Sequence, residues 1–252
     1  MASRQAMEDE LDMGWDFARD LLFRTTLVVV APLLLCSSTL SSDADQESSD
    51  SLVTRIDRDQ YAIGGLHLNK RSQEITIPGW VNMDQGQIEY FATTRLGKTH
   101  EAVLVLDCRP LHLQTALLLL GLESGETNMQ YQGDTTAPQG DSLTITVSWQ
   151  DENGREVAHP AHELLYDLQR KGAMETTPWL FTGSMVIDGR FMADFDGSII
   201  ATYSDPVAVV NNPLSGRVDD TVYEANAEIL PKPGTPVVMT ISRWPQSEES
   251  RE

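Results

Sequence analysis

His100 and Glu101 stand side by side in the segment GKTHE, two positions after Lys98. An imidazole next to a carboxylate can ligate a metal or serve as an acid and base. Adjacent side chains on a strand point to opposite faces, so the two can share one site only if the chain turns there. A second cluster, His159, His162 and Glu163 in HPAHE, has histidines at a spacing that can share a helix face. It matches neither HExxH nor HxxEH, so the zinc-protease geometry is absent. Cys108 precedes Arg109, whose charge could lower the thiol pKa, but no Cys-His pairing is recognisable and a small semi-buried residue is the expected role. Ser184 in FTGSM lacks the GxSxG of a nucleophile elbow. Asp194, Asp196, Asp219 and Asp220 could bind calcium, at a spacing that matches no EF-hand loop; an Asp-Gly turn accounts for Asp196. Lys98, His100, Glu101, Asp194 and Asp219 are therefore the candidate functional residues. They specify neither a metal nor a cofactor.

The elements that must position these residues follow from hydrophobic pattern. Ala102 to Leu106 is a continuous apolar run, as in a strand buried on both faces. Pro110 suits a first helical turn and Gly121 a helix end, so a helix is expected from Pro110 to about Leu120, apolar nearly all round and buried on most faces. Leu143, Ile145, Val147 and Trp149 alternate with Ser and Thr and predict a half-buried strand. Leu66 to Leu68, Glu74 to Val81 and Gln87 to Thr93 are predicted strands, the last two joined as a hairpin, with a bend or bulge at Pro78-Gly79. His159 to Lys171 is predicted as a second helix, with Leu164, Leu165 and Leu168 on one face and Gly172 as its stop. Trp179 to Ile187, Phe191 to Phe195 and Gly197 to Tyr203 are predicted strands separated by Asp188-Gly189 and Asp196-Gly197 turns. Val237 to Ile241 closes the set. Strand runs with only two helices indicate an α+β domain: a mainly antiparallel β-sheet with two helices packed on it.

The ends differ from this body. Thr26 to Cys36 is an apolar run of secretory length, too short for a membrane span, and Ser42 and Ala44 offer a cleavage site. Residues 1–44 are read as a signal peptide and what precedes it, although the acidic residues from Glu8 to Asp20 are unusual before such a run; a start at Met13 would remove most of them. Cys36 would suit a lipid anchor, but Leu35 occupies a position that normally wants a small residue. Residues 45–60 are read as a flexible linker, 61–244 as a single domain and 245–252 as a disordered tail. Loss of Cys36 with the leader leaves Cys108 alone, without an intramolecular disulfide partner or the ligands of a four-cysteine cluster.

The segments GKTHEAVLVLD, the leucine-rich helix after Arg109-Pro110, and WLFTGSMVIDGRFMADFDGSIIATYSDPVAVVN together resemble the YdjY family of bacterial exported proteins, particularly forms from planctomycete-type bacteria. The resemblance spans Gly65 to Ile241 and brings no catalytic residue with it. A ferredoxin-like label is sometimes attached to such proteins; the lone cysteine argues against a cluster-binding version.

A formal net charge of -20 over 252 residues argues against nucleic-acid binding and against docking on anionic lipid. The expected function is that of an exported periplasmic or extracellular protein, a non-enzymatic module binding a protein or small-molecule ligand of the cell envelope. The alternative is a metal-assisted hydrolase using His100 and Glu101.

Overall fold

The computed structural model describes residues 52–125 and 128–245, which belong to one compact unit. The leader, with Cys36 and its candidate cleavage site, lies outside the described residues. A meander opens the chain: β1 (Val53–Arg55), β2 (Gln60–Ile63), β3 (Leu66–Asn69) and β4 (Glu74–Val81). The first of these strands falls inside the stretch read as linker. Next come β5 (Tyr90–Thr93), β6 (Ala102–Leu106) and helix α1 (Pro110–Leu119). β7 (Asp141–Gln150) and β8 (Glu156–Pro160) form a hairpin, and β9 (Leu165–Asp167) and β10 (Gly172–Ala173) a shorter one. The last third holds β11 (Trp179–Phe181), β12 (Val186–Ile187), β13 (Arg190–Phe191), helix α2 (Met192–Asp196), β14 (Ser198–Ala201), β15 (Val210–Asn211), β16 (Tyr223–Ala225) and β17 (Pro236–Arg243).

The α+β class holds, but the main sheet is a closed barrel of eight strands. Its order is β4-β17-β7-β11-β15-β14-β5-β6, and pairing of β6 with β4 closes the circle. Two pairings are parallel, β5 with β6 and β14 with β15; the other six are antiparallel. The period-two pattern becomes cross-strand ladders. Ile75, Ile241 and Ile145 stand in register across β4, β17 and β7, as do Ile77, Met239 and Val147, and all six are buried. Phe91 and Trp179 meet in the same core with ring centroids 5.8 Å apart.

The expected bulge at Pro78-Gly79 is absent, because both residues stay in register with Val238 and Val237. Gly79 instead permits closure. A Cβ there would lie 2.5 Å from the Val105 carbonyl oxygen, so only glycine lets β6 approach this closely. Nor do β4 and β5 form a hairpin; β5 lies between β6 and β14.

Helix α1 forms where expected and ends at Gly121 with φ 75°. It is less buried than its composition suggests. Leu113, Ala116 and Leu117 face the core, whereas Leu118 and Leu119 are exposed, since the helix touches β3 and α2 on one side.

The second predicted helix does not form. Residues 159–171 run through the end of β8, a short 3-10 turn at Ala161–Leu164, and β9. Pro160 stays extended with ψ 147°, and the buried Asp167 carboxylate accepts the backbone N–H groups of Gln169 and Arg170, turning the chain into β10. Phe191 to Phe195, expected as a strand, supplies α2 instead, and Gly197, left-handed at φ 72°, caps it rather than opening a hairpin. The Asp188-Gly189 hairpin is as predicted, joining β12 to β13 through two positive φ angles. Among the described residues, no helix is long and apolar enough to cross a membrane.

Candidate functional site

Tyr90 begins β5 between two alanines, with Ala102 of β6 and Ala201 of β14 as its register partners. Their small side chains leave room for the phenol, and the three form with Ala208 a small apolar cluster separate from the main core. The ring is thus fixed, 2% exposed, and its hydroxyl donates to Asp205 Oδ2 at 2.8 Å. Burial, followed by the charge of Asp205, pushes the phenol pKa far up, so it remains a donor.

Asp205 is itself held from two sides. The Val207 N–H donates to its Oδ1 at 2.8 Å, while buried Asn211 accepts the Asp205 N–H and donates to its carbonyl, both at 2.9 Å. A further wall comes from the loop between α1 and β7. Asp134 accepts the N–H groups of Gln130 and Thr136, and the Gly133 N–H donates to the Ser204 carbonyl at 2.7 Å. Gly133, at φ 80°, cannot be replaced without collision, because a Cβ would sit 2.0 Å from the Tyr203 hydroxyl.

That loop delivers Gln132 to the predicted residues. Lys98 Nζ contacts Glu89 Oε2 at 3.1 Å and donates to Gln132 Oε1 at 3.0 Å; Gln132 Nε2 donates to Glu89 Oε2 at 2.6 Å. The ammonium also lies 5.6 Å from the centre of the Tyr90 ring. His100 and Glu101 fall in a 3-10 turn, Thr99–Glu101, which Asn82 holds through the carbonyls of Thr99 and Ala102. The turn meets the condition for adjacent side chains to converge, and His100 Nε2 lies 2.7 Å from Glu101 Oε1. The Glu101 carboxyl also meets that of Glu89. Burial, then the hydrogen bond and charge of Glu89, raise the Glu101 pKa. Burial opposes the shift at Glu89, but the Glu101 hydrogen bond and Lys98 hold that carboxyl below its usual range.

Lys98, His100 and Glu101 are therefore brought together, whereas Asp194 and Asp219 lie elsewhere. Asp194 pairs with Arg109 and accepts the Leu111 N–H at 2.9 Å, capping α1 from a distant segment. Asp219 accepts from the Thr221 hydroxyl and N–H within a turn. Asp194, Asp196, Asp219 and Asp220 do not converge, and among the described residues no three metal-ligating side chains gather. His159 stacks on Trp149 and pairs with Glu163 at 2.9 Å, while His162 meets Thr176. Cys108 is the partly buried residue that was expected, and it is not an activated thiol. Burial, then the charges of Asp107 and Asp194, push its thiol up to about 12, opposite to the expected influence of Arg109.

Tyr90, Lys98, His100 and Gln132 line one side of a cleft of about 680 Å³. Leu96, Met185, Ile187 and Phe195 supply its apolar rim, and Asp196 and Asp205 its acidic groups. The volume suits a small-molecule ligand. Glu89, Tyr90, Gln132 and Asp205 were missing from the residues selected by sequence, and Asp196 was set aside there as part of an Asp-Gly turn. The one local clue was Glu89-Tyr90 at the mouth of a strand, since the Tyr90–Asp205 bond joins positions 115 apart.

A family model described as the YdjY domain matches residues 66–242. No curated protein and no solved structure matches the chain.

Proposed function

The chain belongs to the YdjY family, and we propose that it is an exported binding module of the cell envelope which holds a small ligand in the Tyr90–Lys98–Phe195 cleft. One observation carries the reading: the cleft's fixed polar groups are hydrogen-bonded to one another, Lys98 to Glu89 and Gln132, Tyr90 to Asp205, while its rim is apolar and exposed. A preformed polar wall with an apolar rim suits retention of a small ligand. Lys98 is engaged by Glu89 and Gln132. Export rests on the apolar run from Thr26 to Cys36, and N-terminal sequencing of the protein from an envelope fraction checks it; an intact Met1 or Met13 terminus contradicts it.

Fragment screening by NMR tests the binding reading. Hits are expected to shift the resonances of Tyr90, Leu96 and Phe195 and to lose affinity in a Leu96→Asp variant. Hits that map elsewhere, or none, overturn it.

The 2.7 Å contact of His100 with Glu101 supports a second reading, a metal-assisted hydrolase. Calorimetric zinc titration of the parent and His100→Ala proteins separates the two. Stoichiometric binding lost in the variant favours the hydrolase, and no binding in the parent removes it.

A further inference from the structure

The charges around the cleft are not balanced. Lys98 is committed to Glu89 and Gln132, and Asp205 to the Tyr90 hydroxyl and the Val207 N–H. Asp196 is exposed and has no hydrogen-bond or ion-pair partner among the described residues. The free charge at the cleft is therefore a carboxylate. It stands near a second carboxylate, Asp205, and on a chain whose formal net charge is -20.

The apolar groups beside it have a matching distribution. Phe195 precedes Asp196 on α2 and is 71% exposed; Leu96, which also lines the cleft, is 82% exposed, and Tyr131, another lining residue, is exposed too. Two aromatic rings and an unpaired carboxylate around one space attract an ammonium group, through ring quadrupole and charge together. Leu96, Ile187 and Met185 continue the apolar surface for a hydrocarbon substituent.

Building on the binding reading above, we propose that the ligand of this cleft is an amphipathic ammonium compound, a small molecule whose cationic head lies at Asp196 between Phe195 and Tyr131 and whose apolar part covers Leu96 and Ile187. Charge complementarity selects this class. A carboxylate or phosphate would be repelled by Asp196 and by the charge of the buried Asp205, and the neighbouring ammonium of Lys98 is already paired. Partial desolvation of its carboxyl first, and the charge of Asp205 second, hold Asp196 above its usual range while Lys98 acts the other way; a bound cation relieves the part that comes from Asp205.

Three probes of nearly equal shape test the class: phenylbutylamine, phenylbutanol and phenylbutyrate, titrated by NMR at neutral pH. The amine is expected to bind at the cleft more tightly than the alcohol, by up to roughly fivefold, with the carboxylate weakest. The preference over the alcohol should disappear in Asp196→Asn, an exposed site whose change leaves the fold intact, and shrink with added salt. Equal or tighter cleft binding of the alcohol or carboxylate overturns the ammonium assignment while leaving the binding reading in place. Failure of all three to shift cleft resonances overturns both. Cleft binding by a lysine-rich apolar peptide, with none by the amine, replaces the small molecule by a polypeptide partner and overturns the proposal in that form.

Discussion

Replacing Tyr90 by Phe removes one hydroxyl from the best-defined part of the cleft and leaves the ring between Ala102 and Ala201. No cavity opens beyond the lost oxygen, so the cost is mainly that of the hydrogen bond to Asp205, with the longer 3.3 Å bond that the hydroxyl accepts from Gln132 Nε2 added to it. Both groups are nearly inaccessible, Tyr90 at 2% and Asp205 at 5% exposure, and water cannot easily replace the donor. A hydrogen bond to a charged partner contributes about 1.5–3 kcal/mol. Asp205 keeps the Val207 N–H on its other oxygen, which places the expected loss for Tyr90→Phe at about 2 kcal/mol. For a chain of this size that lowers Tm by roughly 4–8 °C. Urea unfolding followed by tryptophan fluorescence measures it, with the m-value unchanged. Asp205→Asn, alone and combined with Tyr90→Phe, completes a cycle in which the two changes should couple by about 1 kcal/mol or more. Unchanged stability in Tyr90→Phe, or strictly additive losses, would refute the account of a buried, charge-assisted bond.

Gly79→Ala is expected to destabilise the barrel by about 1–3 kcal/mol or to prevent its closure, because the new methyl meets the Val105 carbonyl; thermal unfolding reads the loss. Glu101→Gln should be more stable than the parent at pH 7, since the folded parent must ionise a carboxyl whose pKa is raised. That advantage should fade as pH falls through the raised pKa towards the ordinary value of 4.5, where the parent takes up its proton; denaturant midpoints across this range show the trend or contradict it. The Cys108 thiol, pushed up to about 12, should resist a disulfide reagent at pH 8 in the native protein and react on unfolding, as absorbance of the released thiolate records.

Local pattern made much of the fold legible. Leu143 to Trp149 alternates because one face of β7 enters the core, Pro110 and Gly121 delimit α1, and Asp188-Gly189 has the backbone freedom its hairpin uses. Residues 159–171 misled for a physical reason. Leu164 and Leu165 are both buried, one in a 3-10 turn and one in β9, so their spacing reports two elements and not a helix face. Barrel closure was illegible because it depends on β4 meeting β6 and β5 meeting β14, pairings that leave no periodic trace. The candidate site divides similarly. Lys98, His100 and Glu101 share one short turn and could be found together, but Glu89, Gln132 and Asp205 reach them only through tertiary structure. Asp194 attracted notice as an acid and proves to be a cap for α1.

The two parallel strand pairs have a consequence for how this protein can vary. A strand followed by its parallel neighbour cannot turn back through a tight hairpin; the chain must return to the starting end first. In this barrel the returning segments are residues 94–101, from β5 to β6, and 202–209, from β14 to β15. The first carries Leu96, Lys98, His100 and Glu101, and the second carries Asp205 and Val207. Topology thus obliges the chain to bring two connections to the cleft, and only the second also enters the core, through Ala208 and Val209. A designer wishing to retarget the scaffold would begin with the exposed parts of the same two returns and leave the strand ladders unchanged.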